Sequence, residues 1–154
     1  MSERSIEHAT FVVERVYDAS LDRVFAAWSN PMAKARWYNG SEDDYELDFR
    51  VGGWERHQGM APDGRGYAYQ ALFWDIVPDH RIVYTYDMLL DGIRISVSVA
   101  TAEFESERDG TRLVFTEQGA YLDGYERPAQ REHGMGSLLD SLGRWLQSSR
   151  SDGG

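Results

Sequence analysis

The sequence has no cysteine, which excludes disulfides, thiolate metal sites and a cysteine nucleophile. Lysine is nearly missing too: fifteen of the sixteen basic residues are arginine, so Lys34 is the sole candidate for Schiff-base chemistry. No apolar run approaches the roughly 20 residues that a membrane-spanning helix needs. The opening Met1-Ser2-Glu3-Arg4-Ser5 has no apolar stretch behind its charges, unlike a secretory signal. Basic charge is in deficit, with 16 basic against 26 acidic residues, a net charge of −10 and a pI near 4.8. Nucleic acid or an anionic membrane selects a basic surface, so neither partner is expected. Repeats, linkers and low-complexity segments are absent. The 154 residues suit one domain, 1–154 with a core over about 9–148, and a cytoplasmic location is expected.

Aromatic residues, by contrast, are plentiful, and the hydrophobic period that carries them changes along the chain. Phe11, Val13 and Tyr17 alternate with polar residues, which predicts a strand over Ala9 to Tyr17. Leu21, Val24, Phe25 and Trp28 then fall at helical spacing behind Ser20, a candidate N-cap. Asn30-Pro31 ends that helix, and Pro31 opens a second short one leading to Trp37-Tyr38. From Tyr45 the period is two. Tyr45, Leu47, Phe49 and Val51 predict a strand that Gly52-Gly53 breaks, and a new strand begins at Trp54. Asp63-Gly64, Asp91-Gly92 and Asp109-Gly110 sit between alternating runs, the mark of antiparallel hairpins. Met135, Leu138, Leu139, Leu142 and Leu146 return to helical spacing behind Pro128, with a frayed tail expected from Ser149.

Catalytic signatures are scarce. His8, His57, His80 and His133 form no metal-ligand spacing among themselves or with carboxylates, so no metal is expected. His57, on a strand, and His133, near the start of the long helix, are the two placed to reach a cavity mouth as general acid or base. Gly136-Ser137-Leu138 lacks the flanks of a nucleophile elbow, and Gly52-Gly53 joins strands rather than opening a phosphate-binding helix. Arg50 has two readings, a partner for a ligand carboxylate or an outer-face ion pair with Glu55 or Asp48, and the second is expected. The run Glu42-Asp43-Asp44 reads as a solvated loop, and Glu103, Glu105 and Glu107 as the wet face of a strand end.

One strand, two short helices, an antiparallel meander and a long final helix make an α+β helix-grip fold, a curved sheet wrapped round its C-terminal helix. The details resemble the START-like (SRPBCC) superfamily, which includes birch pollen allergens and aromatic polyketide cyclases. Within it the chain is most similar to the domain homologous to the C-terminal part of the activator of the ninety-kilodalton heat-shock chaperone's ATPase. The resemblance is carried by Ala19-Ser20, Val24-Phe25, Trp28, Asn30-Pro31 and Trp37. It continues in Phe49-Arg50-Val51-Gly52-Gly53, Pro78 to Tyr84, Gly110-Thr111-Arg112-Leu113, and Gly134 followed by Leu139, Leu142 and Leu146. It departs where Met135 stands in place of the family's usual Trp.

The resemblance implies a cavity between sheet and helix that binds a small hydrophobic or aromatic molecule without a cofactor. If the alternation holds, Tyr45, Leu47, Phe49, Tyr69, Phe73, Tyr84, Tyr86, Met88, Val97 and Phe115 face the helix, unless a bulge at Gly52-Gly53 shifts the parity. The candidate ligand-binding set is Trp37, Phe49, Trp54, His57, Tyr69, Phe73, Tyr84, Tyr86, Met88, Phe115, Met135 and Leu139. Plain core packing is the competing reading of each of these side chains. A cyclase- or hydrolase-like enzyme using the same cavity is the first rival function, and regulation of a chaperone ATPase the second. The ligand and the oligomeric state, monomer or homodimer, stay open.

Overall fold

A computed structural model describes residues 4–39 and 44–152. Strand β1 (Ile6–Tyr17) leads into helices α1 (Leu21–Ser29) and α2 (Pro31–Lys34), the latter running into a π-helical turn over Ala35–Asn39. The meander follows as β2 (Tyr45–Leu47), β3 (Trp54–Met60), β4 (Gly66–Val77), β5 (Arg81–Leu90), β6 (Ile93–Glu107) and β7 (Gly110–Leu122). Helix α3 (Pro128–Asp152) closes the chain, continuing past Ser149 where a frayed tail was expected. The strands form one antiparallel sheet in the order β1-β7-β6-β5-β4-β3-β2, so the fold is the α+β helix grip that the pattern predicts. No helix among the described residues is long and apolar enough to cross a membrane.

Local chemistry explains most boundaries. Ser20 is extended, but its hydroxyl donates to Asp22 at 2.6 Å instead of capping α1, which starts on the Ser20 carbonyl alone. Asn30 is the working cap: its Oδ1 accepts from the N–H groups of Met32 and Ala33 at 3.0 and 3.1 Å, with Pro31 in the first helical turn. At α3, Gln130 Oε1 reaches back to the Arg127 N–H at 2.9 Å. Asp91-Gly92 makes the expected hairpin turn, with φ +49° and +79°. Gly110 serves a different purpose from the turn proposed for it. A Cβ there would lie 2.3 Å from the Tyr17 carbonyl oxygen, so only glycine lets β7 approach the end of β1.

Three expectations need correction. Strand β2 stops at Leu47, and Val51 is 58% exposed beyond it. The backbone folds back there, since a Cβ on Gly53 would meet the Asp48 carbonyl at 2.0 Å. The parity shift lies in the β5–β6 hairpin instead of at Gly52-Gly53: Met88 pairs with Ser96 but Leu89 with Arg94, leaving Ile95 unpaired. Val97 and Val99 therefore turn outward, while Ser96, Ser98, Ala100, Ala102 and Phe104 face the core. Glu103, Glu105 and Glu107 are exposed in the same register, as expected.

Helix α3 lays Met135, Leu139, Leu142 and Leu146 into a core shared with Phe11, Phe25, Trp28, Phe73, Tyr84 and Phe115. The Tyr17 hydroxyl donates to the Leu139 carbonyl at 2.8 Å, and Arg23 to that of Leu146 at 2.9 Å, fixing the helix along its length. Met135 is 5% exposed within this packing. A Met135→Trp substitution, placing there the residue that the family resemblance leads one to expect, should accordingly overpack the core and cost about 1–3 kcal/mol. Urea unfolding of the variant beside the parent measures it; a neutral or stabilised variant would reveal unfilled space at this position.

Candidate functional site

The sole lysine is the most deeply buried cation in the described chain. Helix α2 points Lys34 inward, and the π-helical turn that follows brings Trp37 and Tyr38 in beside it. The ammonium lies 4.6 Å from the Tyr38 ring centre, 4.8 Å from Trp28, 5.8 Å from Tyr84 and 5.9 Å from Trp37, a cage of cation–π contacts. Its counter-ion is Glu55 of β3, whose Oε1 accepts from Nζ at 3.0 Å; the two side chains are 1% and 0% exposed. Glu55 also accepts from Tyr45 at 2.5 Å and Tyr69 at 3.4 Å. Burial lowers the Lys34 pKa, and the neighbouring carboxylate pulls it back.

A second buried ion pair lies towards the start of α3. Arg131 grips Glu126 through two nitrogens at 2.7 and 2.8 Å, and donates to Ser96 at 2.7 Å and Tyr86 at 2.8 Å. Glu117, fully buried on β7, accepts from Tyr86 at 2.8 Å, Ser98 at 3.1 Å and Arg131 at 3.4 Å. Burial raises the Glu117 pKa against the opposing pull of Arg131, Tyr86 and Ser98. The Tyr69 and Tyr86 rings, centred 4.9 Å apart, bridge the two ionic centres.

Beside this belt the grip is open. A cleft of about 540 Å³ lies between the β3–β4 hairpin, the ends of β5 and β6, and the start of α3. Met60, Tyr67, Met88, Leu90, Ile95 and Tyr125 form most of its wall, with Arg65, Glu126 and Gln130 as polar members. His57 belongs to the same wall. Its ring stacks on Tyr69 at 4.7 Å, lies near-parallel to Tyr45 at 6.1 Å, and meets Tyr38 and Tyr67 edge-on. Neither ring nitrogen has a hydrogen-bond partner among the described residues. Burial, helped by Lys34 and opposed by Glu55, pushes its pKa down to about 4, so the imidazole is neutral at pH 7.

The twelve candidate residues separate into groups. His57 and Met88 line the cleft. Trp37, Tyr69, Tyr84 and Tyr86 surround the buried ion pairs. Phe49, Phe73, Phe115, Met135 and Leu139 pack in the core behind them. Trp54 lies apart, on the outer face of the sheet under the guanidinium of Arg56 at 4.2 Å, because β3 turns Glu55 and His57 inward and Trp54 outward. The outward Val97 shares that groove. Arg50 pairs with Asp48 at 3.0 Å, whereas Glu55, its other expected partner, is inside. His8, His80 and His133 are exposed, so His133 does not share the cleft. Glu42 and Asp43 lie outside the described residues.

Composition marks Lys34 as the sole lysine, but nothing in the sequence pattern marks Glu55, Glu117 or Arg131 as site residues. Among the described residues no group of three or more histidines and carboxylates could hold a metal ion.

Comparison with known proteins places this arrangement. Residues 18–147 match the family described as Activator of Hsp90 ATPase homolog 1-like protein. An uncharacterised protein from Rhizobium leguminosarum is 46% identical, with a TM-score of 0.92 over 96% of this chain and 99% of that one. The Mll3558 protein from Rhizobium loti is 41% identical, with a TM-score of 0.86 over 92% and 99%. CalU16 from Micromonospora echinospora shares the fold at 20% identity, with a TM-score of 0.66 over 99% and 90%. No curated protein matches.

Two outcomes are expected from the site's electrostatics. Lys34→Met or Glu55→Gln alone strands a buried charge and should cost about 3–5 kcal/mol. The double variant keeps an acceptor for Tyr45 and Tyr69, and should cost clearly less than the sum of the two, as a urea double-mutant cycle would show.

The second concerns pH. A histidine whose folded pKa is lowered from 6.5 to about 4 stabilises the native state fully above pH 6.5 and loses that contribution as pH falls towards 4. The full loss is about 3 kcal/mol. Glu117, raised by burial, acts with opposite sign above the ordinary carboxylate range. The quantity to measure is therefore the stability difference between the parent and His57→Phe, which should shift against the parent between pH 6.5 and 4.

Proposed function

The chain belongs to the Activator of Hsp90 ATPase homolog 1-like family, and from that premise we propose that it binds a small, flat, largely apolar molecule in the cleft over His57. The supporting observation is the cleft itself. It is large enough for a two- or three-ring molecule, and it keeps apolar and aromatic side chains open at the surface of a chain of net charge −10. Met60 is 69% and Tyr125 42% exposed at its rim, while Ile95 at 5% marks its depth. The tyrosines behind it are already packed and hydrogen-bonded, so the ligand rests against the aromatic belt without having to open the core. A hydrolase- or cyclase-like reaction would have to rely on His57 as its acid or base, since Glu55 and Glu117 are sealed within their ion pairs.

The test uses N-phenyl-1-naphthylamine, a neutral probe that brightens on leaving water. The parent should bind it saturably near one equivalent and gain thermal stability in its presence. Met60→Glu, at the exposed rim, should weaken binding several-fold while moving stability by no more than about 0.5 kcal/mol. Saturable binding that Met60→Glu leaves unchanged would move the site elsewhere.

A further inference from the structure

We propose that His57 is the specificity-determining residue of this cleft, and that it selects a neutral aromatic ligand bearing a hydroxyl, a phenol, over both the bare hydrocarbon and the matching carboxylate. The inference rests on the cleft reading above and deepens it by naming the ligand class.

Its first ground is an unmet hydrogen-bonding demand. The His57 ring is clamped on Tyr69 at 4.7 Å and 22°, with Tyr38 and Tyr67 edge-on at 5.5 and 5.7 Å. Held this way the ring lines the cleft, while its donor and acceptor nitrogens are both buried with no partner among the described residues. Buried polar groups in folded proteins are nearly always satisfied, so an exception lining a cleft points to a group supplied from outside. Trp28 Nε1, Glu117 Oε1 and the Tyr121 hydroxyl are also unpartnered, but none of those residues lines this cleft. A phenol hydroxyl can donate to or accept from imidazole while its ring lies on the apolar wall.

The second ground is that, among the described residues, no cation at the cleft is free. Arg65 is paired with Asp63 at 2.6 Å, and Arg131 is held by Glu126, itself on the cleft wall. Lys34 is committed to Glu55. Burial keeps His57 uncharged at neutral pH, so the ring brings no positive charge of its own. An incoming carboxylate would lose its hydration and meet Glu126 with no counter-ion, whereas a neutral hydroxyl carries no such penalty.

The experiment titrates 2-naphthol, naphthalene and 2-naphthoate into the full chain at pH 7, by calorimetry or fluorescence. On the parent, 2-naphthol should bind about tenfold tighter than naphthalene, the worth of one hydrogen bond to a buried unsatisfied group. It should exceed 2-naphthoate by at least as much. His57→Phe should reduce 2-naphthol to the level of naphthalene and leave naphthalene's own affinity unchanged or higher. His57→Gln, which keeps a donor and an acceptor, should retain part of the preference. If His57→Phe fails to fold by circular dichroism, the three ligands on the parent and on His57→Gln still decide the matter. Equal affinities for naphthol and naphthalene, or tightest binding of the naphthoate, would overturn selection by His57 and leave the cleft reading intact. No binding of any of the three up to solubility would overturn the cleft reading, and this inference with it.

Discussion

A charge taken out of water must bring its partner with it, and this grip closes over two such pairs. Lys34 and Glu55 are both essentially without solvent contact, as is Glu117 opposite Arg131. Each pair joins segments distant in sequence: α2 to β3 in the first, β7 to α3 in the second. Apolar packing alone would tolerate small slides of helix against sheet, since it has no direction. A carboxylate that accepts three hydrogen bonds at set positions does not. A one-residue register slip of β3 would send Glu55 to solvent and leave Lys34 stranded among rings. The ionic belt thus acts on register more than on net stability, because a buried pair gains little over a well-packed apolar substitute but loses much when one member is missing.

The aromatic residues follow from that requirement. An ammonium inside a protein needs either water or polarisable faces, and Trp28, Trp37, Tyr38 and Tyr84 supply the faces. The two carboxylates need more donors than the two cations provide, and Tyr45, Tyr69 and Tyr86 supply hydroxyls while filling core volume. Tyrosine is the side chain that meets both demands at once. Several rings that would suit a ligand are therefore already engaged with the protein's own charges, and the cleft over His57 lies beside them at the end of the grip.

Much of the fold was legible from period alone: the strand–helix–helix opening, the new strand at Trp54, the Asp91-Gly92 turn and the leucine stripe of α3. What failed was parity. Alternation assigned Val97 inward, yet Glu103, Glu105 and Glu107 on the same strand share its odd numbering and were read as wet. Those two assignments cannot both hold on an unbroken strand; the unpaired Ile95, buried like the Ser96 beside it, passes the inward face to even numbers before Val97. Trp54 was misplaced for a related reason, since hydrophobicity assigns it inward while its neighbours Glu55 and His57 hold that face. No propensity rule turns a glutamate inward. Glu55 could be placed only by knowing that Lys34 waits across a gap of 21 residues, and pairing at that distance leaves no trace in a single sequence.

The same contrast separates structural polarity from functional polarity. Around Lys34 the cation, both carboxylate oxygens and the nearby hydroxyls are matched within the chain, so a ligand has little to add there. His57 lies two residues beyond Glu55 on the same face of β3, close enough for Glu55 and Lys34 to act on its charge in opposite directions. Its ring faces are saturated with aromatic contact while its nitrogens are unmatched among the described residues. Burial holds it neutral, and an unpartnered neutral imidazole costs the fold far less than an unpartnered charge would. The strand can therefore carry both kinds of group side by side: a charge fully neutralised to set the register, and an uncharged group left open at modest cost where the grip meets solvent.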